Sequence, residues 1–381
     1  MKEFSERLNN FDEYVFAKLN SSAKKIELKT GRKVLNLAVG SPDVPPSEKL
    51  LAALCGAIRE KGAHLYPGYG MTPGFAKAAR NFYKTNYGVE IETENLVPLL
   101  GAKDGITHLI LALLDEGDEF LTPNPGYPGF TGPALMIGAK PVYYTLKEEN
   151  GFKPDVKELE KLVSKKTKFI WVNFPSNPTG AVITLKELAA FAAFAKKNNI
   201  ALIYDNAYAQ MYYDGVQPPS ILQIKGARDF AVELHSLSKT FSLAGYRIGF
   251  AAGNKKILGA LAKIKSQTDS GLSLPLQKMA EYALAKPDVK WRKKMLESYA
   301  RRRDILARVF IKLGCKLRPP TAALYLWARV PDGFKNGAEY AEFLLKEKQV
   351  LVTPGAAFGP AGEKYIRISF CSDIRKIKEY L

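Results

Sequence analysis

Cysteine is scarce in this chain: Cys55, Cys315 and Cys371 are the only three among 381 residues. They are too few and too scattered for a disulfide framework or a metal cluster, so they read as packed free thiols in a reducing compartment. Residues 1–19 lack the uninterrupted apolar core of a signal peptide, because Lys2, Glu3, Glu6 and Arg7 interrupt it. No run reaches the ~18 consecutive apolar residues that a membrane span needs. Internal repeats, low-complexity linkers, helix-turn-helix patterns and aromatic RNA-binding signatures are missing too. These gaps lead to the expectation of a soluble, cytoplasmic protein without membrane or nucleic-acid partners and without a bound metal.

Acidic residues are outnumbered, 38 against 56 lysines and arginines, for a net charge of +18. Such a surplus can neutralise phosphates, which keeps a nucleic-acid-binding protein as a remote alternative. Distribution opposes it, because the basic residues are spread over most helical segments. The one concentration, at 290–294 and 301–303, shares a helix with Trp291, Met295, Leu296, Tyr299, Ile305 and Leu306. Those six fit one apolar stripe and leave the charges on the wet face.

A chain of this length buries roughly three-quarters of its unfolded surface and is expected to form two domains. Apolar runs predict strands at 34–39, 96–100, 118–122, 141–146, 168–174, 200–204, 230–234 and 248–252. Helical patterns fall at 4–29, 47–61, 73–86, up to 114, 128–137, 155–164, 184–198 and 255–313. Strands separated by amphipathic helices imply an α/β fold with a mostly parallel sheet covered on both faces. Beyond 313 the pattern changes to strands at 324–330, 350–354 and 365–370 around one helix, a small α+β domain. The expected division is a large domain at 46–285 and a small one made of 1–45 and 286–381.

Unusual residues gather at the ends of the predicted strands, where open α/β sheets bind ligands. Lys239 follows the strand at 230–234 among Ser236, Ser238 and Thr240, with Arg247 eight residues on. A lysine becomes a nucleophile near neutral pH when burial or a neighbouring cation lowers its pKa, and an arginine fork suits a phosphate. Taken alone, a lysine between serines is equally a solvated loop residue. Gly101-Ala102-Lys103 ends a strand and starts a helix, an arrangement whose free amides and dipole favour an anion. Asp205 ends a strand of apolar and aromatic residues and is either a buried partner for a cation or a turn cap. Asn177 stands in an Asn-Pro turn, Tyr127 reads equally as core, and Arg367 alternates with Ile366 and Ile368, which would also suit a wet face.

Ser-x-Ser-Lys at 236–239, followed by Gly-Tyr-Arg-x-Gly at 245–249, resembles the pyridoxal phosphate attachment site of class I/II, fold-type I aminotransferases. Matching motifs recur in family order over residues 35–371. The resemblance implies a seven-stranded large-domain sheet and a homodimer with shared active sites. Pyridoxal 5'-phosphate would be held by Lys239 as a Schiff base, and Lys239 would later move the proton at the substrate carbon. Asp205 would pair with the pyridine nitrogen, Tyr208 and Asn177 would contact the ring's phenolic oxygen, and Tyr127 would stack on the ring. The phosphate would lie on the Ala102 and Lys103 amides, Ser236, Ser238 and Arg247, with Tyr66 crossing from the partner subunit. Arg367 and the Val39-Gly40 loop, with Asn177, would take the substrate carboxylate.

The expected reaction moves an amino group between an L-amino acid and a 2-oxo acid, with 2-oxoglutarate and glutamate as one pair, in a ping-pong cycle. Carbon–sulfur lyases and aminocyclopropane carboxylate synthases share most of these residues and stay as an alternative. The surroundings of Gly-Ser-Pro-Asp (40–43) and of Ala-Leu-Tyr-Leu-Trp-Ala (323–328) are similar to bacterial and archaeal enzymes assigned to aspartate, alanine or LL-diaminopimelate. Arg32, Lys103 and Lys265 are each candidates for a distal carboxylate, and the sequence does not choose among them.

Overall fold

A computed structural model describes residues 4–10 and 15–381. Its strands, in chain order, are β1 (Leu35–Asn36), β2 (Leu96–Leu99), β3 (Glu119–Asn124), β4 (Lys140–Thr145), β5 (Thr167–Asn173) and β6 (Ala201–Asp205). They continue as β7 (Ala231–Ser236), β8 (Gly249–Gly253), β9 (Tyr325–Arg329), β10 (Val350–Leu351), β11 (Thr353–Pro354) and β12 (Tyr365–Ser369). Seven of them form one sheet in the order β2-β8-β7-β6-β5-β3-β4. β8 pairs antiparallel with both its neighbours and the other pairings are parallel, as the helix–strand alternation predicts.

The continuous apolar runs of β5 and β6 are explained by cover on both faces. Ile170, Val172, Leu202 and Tyr204 join a cluster with helices Pro73–Tyr87, Leu185–Lys197 and Leu274–Ala285. Their sequence neighbours Phe169, Trp171 and Ile203 join a second cluster with helices Ala102–Leu113 and Lys255–Lys265. The period-two alternation therefore splits one strand between two dry layers, and each fully buried large side chain adds roughly 1.5–3 kcal/mol.

A third core packs β9 and β12 against helices Val289–Lys312 and Gly337–Lys348. Here β11, β12 and β9 form an antiparallel sheet, while β1 pairs in parallel with β10. The predicted strand at 34–39 is thus reduced to two paired residues tied to the C-terminal part of the chain.

Other expectations change in the structure. The helical stretch over 255–313 is three helices, Lys255–Lys265, Leu274–Ala285 and Val289–Lys312, because Pro275 and Pro287 lack the amide that a continuous helix needs. The helix at 155–164 shrinks to Val156–Leu159, and 128–137 divides into a 3-10 turn and Gly132–Met136. The predicted helix over 4–29 lies partly outside the described residues; its described part is a 3-10 turn, Glu6–Asn10, and a helix, Val15–Thr30. Cys315 and Cys371 are packed as expected, but Cys55 is exposed. Arg302 and Arg303 are buried rather than on a wet face. Buried charges need partners, and these have Asp43 at 2.6 Å and Asp214 at 2.9 Å.

Candidate active site

The carboxyl ends of β5, β6 and β7 open on a cavity of about 450 Å³. Val39, Gly40, Ala102, Lys103, Tyr127, Asn177, Asp205, Tyr208, Ser236, Ser238, Lys239, Arg247 and Arg367 all line it. Tyr66 is apart from them and 87% exposed.

Lys239 lies on a single turn, Leu237–Thr240, that begins where β7 ends; Ser236 caps it by accepting from the Ser238 amide at 3.3 Å. The turn aims the lysine across the cavity, and Nζ donates to the Gly40 carbonyl at 2.6 Å. Gly40 is needed there for space, since a Cβ would fall about 2.0 Å from the Tyr325 hydroxyl, on the ring itself. The absence of a side chain at Gly40 thus serves the approach of Tyr325.

An anion cradle forms at the start of helix Ala102–Leu113. The first amides of a helix have no carbonyl partner within it and carry the positive end of its dipole. Gly101 has φ +83°, and a Cβ there would lie 2.5 Å from Arg247 Nη2, so only glycine leaves the guanidinium room beside those amides. Arg247 itself adopts a left-handed conformation, φ 57°, a strain found where a side chain must be aimed. Its Nη1 donates to the Ala244 carbonyl at 2.8 Å.

Asp205 is 5% exposed and accepts from the Ala207 amide at 3.2 Å. Burial pushes its carboxyl from an ordinary 3.8 up to about 6, against the lowering effects of the Ala207 hydrogen bond and of His235. It is a partly capped carboxylate with too few donors for its depth, as expected of a group that meets a cation in the working protein. Tyr208 sits nearby, its hydroxyl 2.8 Å from that of Tyr325. Burial and then Tyr325 raise the Tyr208 phenol well above its ordinary value, so it stays protonated and able to donate.

Arg367 is buried, which removes the wet-face reading. Its Nη1 donates to Asn177 Oδ1 at 2.8 Å and its Nη2 to the Ala38 carbonyl at 2.6 Å. The guanidinium plane lies 4.2 Å from the Tyr325 ring centre and 4.6 Å from that of Phe358, contacts that favour a cation. Asn173 at the end of β5 orients Asn177 by accepting its amide at 2.9 Å, and it donates to the Asp205 carbonyl at 3.0 Å. Tyr127 also lines the cavity, folded against Gly129, where a Cβ would lie 2.4 Å from the ring.

Tyr325, Phe358, Asn173 and Asn20 belong to this site or its support and were not foreseen. Tyr325 reaches it because β9 pairs with β12 in the register Tyr325↔Ser369 and Trp327↔Arg367, and a single sequence does not display register. Asn173 was within reach, as the polar residue that closes an apolar strand. Of the three basic candidates for a distal group, Lys103 alone lines the cavity. Lys265 is wholly buried between Asp104 and Asp269, and Arg32 stacks 4.1 Å over Tyr380.

The donor set fits a phosphorylated pyridine aldehyde: an amine at the centre, a buried carboxylate on one side, and an anion cradle that a single Cβ would fill. Comparison with known proteins points the same way. Residues 32–381 match the family model described as aminotransferase class I and II. The LL-diaminopimelate aminotransferase 2 of Trichormus variabilis is 38% identical over 369 residues, 96% of this chain and 94% of that relative. The LL-diaminopimelate aminotransferase of Aquifex aeolicus is 37% identical over 380 residues, 100% and 97% of the two chains. Among solved structures, substrate-bound BacF from Bacillus subtilis superposes with a TM-score of 0.94 at 35% identity, covering 100% of this chain and 96% of that one. A Thermus thermophilus aspartate aminotransferase double mutant gives 0.93 at 26% identity, covering 100% and 98%.

The raised Asp205 carboxyl has a measurable consequence in the protein stripped of cofactor. Between about pH 4 and 6 the folded chain binds more protons than the unfolded chain, so stability falls as pH rises through that window. The loss amounts to about 3 kcal/mol and is complete above the folded value. Asp205→Asn removes this term, so its stability relative to wild type should rise by about that amount between pH 4 and pH 7.5 in urea unfolding. A difference that does not change with pH would contradict the assignment.

Proposed function

The chain belongs to the class I and II aminotransferases and works with pyridoxal 5'-phosphate, and on that premise we propose that it transfers the amino group of LL-diaminopimelate to 2-oxoglutarate. The observation that carries the site assignment is the meeting of Lys239, Asp205, Arg247 and Arg367 around one cavity. The donor is supported by the relatives that bear that name and by a basic residue, Lys103, among those that line the cavity.

When bound, pyridoxal phosphate supplies the carbonyl that receives the amino group and the ring that takes up negative charge from the substrate carbon. Ala102, Lys103, Ser236, Ser238 and Arg247 would hold the phosphate through amides, hydroxyls and a guanidinium. Asp205 would pair with the pyridine nitrogen and favour its protonated form, because an ionised carboxylate at that depth is stable only beside a cation. Tyr208 and Asn177 would hold the phenolic oxygen, and Tyr127 would cover the ring. Arg367 binds the α-carboxylate through a fork already oriented by Asn177, Tyr325 and Phe358, with Val39 and Gly40 closing over it. Lys239 would hold the cofactor and, once released from it, would move the proton at the substrate carbon.

The large unit would comprise 46–285, with 1–45 and 286–381 as the small one. Two copies would share their sites, each Tyr66 serving the partner's phosphate. Its 87% exposure beside the half-exposed Tyr69 and the exposed Leu65 and Ile58 supports a surface that a second copy covers.

A screen of amino donors against 2-oxoglutarate tests the substrate assignment. LL-diaminopimelate should give the highest kcat/KM, and a preference of about tenfold or more for aspartate or alanine would overturn it. Elimination to pyruvate without glutamate formation would revive the lyase reading. Shared sites have their own test. Tyr66→Phe and Arg367→Ala homodimers should each be weak, and mixing them should restore activity, because one site of each mixed dimer carries neither defect. Subunit exchange shown by mass spectrometry without recovered activity would place Tyr66 in its own chain's site or in none.

A further inference from the structure

Behind the anion cradle, Asp104, His108 and Asp269 bring their ligand atoms within 4.8 Å of one another, and the ammonium of Lys265 lies against both carboxylates. Its side chain is wholly buried, 2.8 Å from Asp104 Oδ2 and 2.7 Å from Asp269 Oδ2. A buried ammonium is tolerated only with such pairing, and the reaction as derived above uses none of these residues. Burial pushes the Asp104 carboxyl up, but His108 and Lys265 outweigh it and hold it below its ordinary value, so that carboxyl stays ionised.

Each carboxylate is also fastened to backbone, on opposite sides. Asp104 Oδ2 accepts the Leu100 amide at 3.0 Å, and the Leu100 carbonyl faces Arg247 Nη2 at 3.4 Å. That end of the network fixes the turn from which the cradle is built. Asp269 Oδ1 accepts the Gly271 amide at 2.7 Å. Gly271 has φ +89°, and a Cβ there would lie 2.1 Å from the Gly68 carbonyl oxygen and 3.2 Å from Pro67. Backbone thus packs directly on backbone, one residue beyond Tyr66-Pro67. His108 adds a second tie, with Nδ1 3.0 Å from Asp104 Oδ1 and Nε2 2.6 Å from Thr268 Oγ1.

We propose that Lys265 is a positioning residue that joins the phosphate cradle of one subunit to the Tyr66 loop serving the other, so that filling one site helps to order its neighbour. The proposal rests on the reading of Tyr66 as a residue of the partner's site. Such coupling is reciprocal, acting equally from either site on the other. A network that merely supports folding would lower stability without linking the two.

Titration of the cofactor-stripped, full-length protein with pyridoxal phosphate tests it, using wild type, Tyr66→Phe, Asp269→Asn and the double variant. Asp269→Asn cuts the far half of the network and leaves the Lys265–Asp104 pair; Lys265→Met is the more severe companion, and where it fails to fold Asp269→Asn carries the test. Each single change should weaken cofactor binding about tenfold. In the double variant the second change should add less than about twofold, the sign of coupling. Effects that multiply in full, or an Asp269→Asn protein with unchanged affinity, would overturn the proposal while leaving Tyr66 in the partner's site. A Tyr66→Phe protein with wild-type affinity would instead remove the shared-site reading and the coupling with it.

Discussion

The cavity is organised around charges that the sheet removes from water. Asp205 at the end of β6 and Arg367 within β12 are both almost fully buried, and Lys239 reaches across to the Gly40 carbonyl. An unpaired ion at such depth is strongly destabilising, so each must be matched by donors, carbonyls, aromatic faces or a bound partner. Arg367 is matched within the chain by Asn177, Ala38, Tyr325 and Phe358. Asp205 is matched only in part, and its raised carboxyl marks the place where the fold gives up stability for function. That shortfall is what a protonated pyridine ring would correct.

Position follows from topology. In a parallel sheet the strand ends share one edge, so Asn173, Asp205 and Ser236 come together although they are far apart in sequence. The third core adds what the large sheet lacks. β12 brings Arg367 and β9 brings Tyr325, while the segment after β1 brings Gly40 under Lys239. The site therefore depends on the large sheet and on the third core, and the tyrosine pair Tyr208–Tyr325 ties the segment after β6 to β9.

Much of this was legible in the sequence, for definite reasons. Apolar runs such as Phe169-Ile170-Trp171-Val172 announce strands covered on both faces, and the polar residues that end them announce the ligand edge. Lys239, Asp205 and Arg367 stood out because each interrupts or closes such a run. The illegible part depends on pairing between distant segments. Tyr325 enters through strand register, and the burial of Arg302 and Arg303 depends on Asp43 and Asp214, which no local pattern connects to them. Lys265 looked like a substrate contact because its partners, Asp104 and Asp269, meet it only in the folded chain. The break in the helix at 255–313 was readable from Pro275 and Pro287, and apolar periodicity hid it.

On the proposed assignment Lys239 carries the cofactor and moves the proton. Borohydride reduction of the holoenzyme, followed by peptide mapping by mass spectrometry, tests it most directly. The pyridoxyl group should be recovered on the peptide that contains Lys239, and Lys239→Ala should show neither the label nor repeated turnover. Label on another lysine, or sustained transamination by Lys239→Ala, would contradict the account.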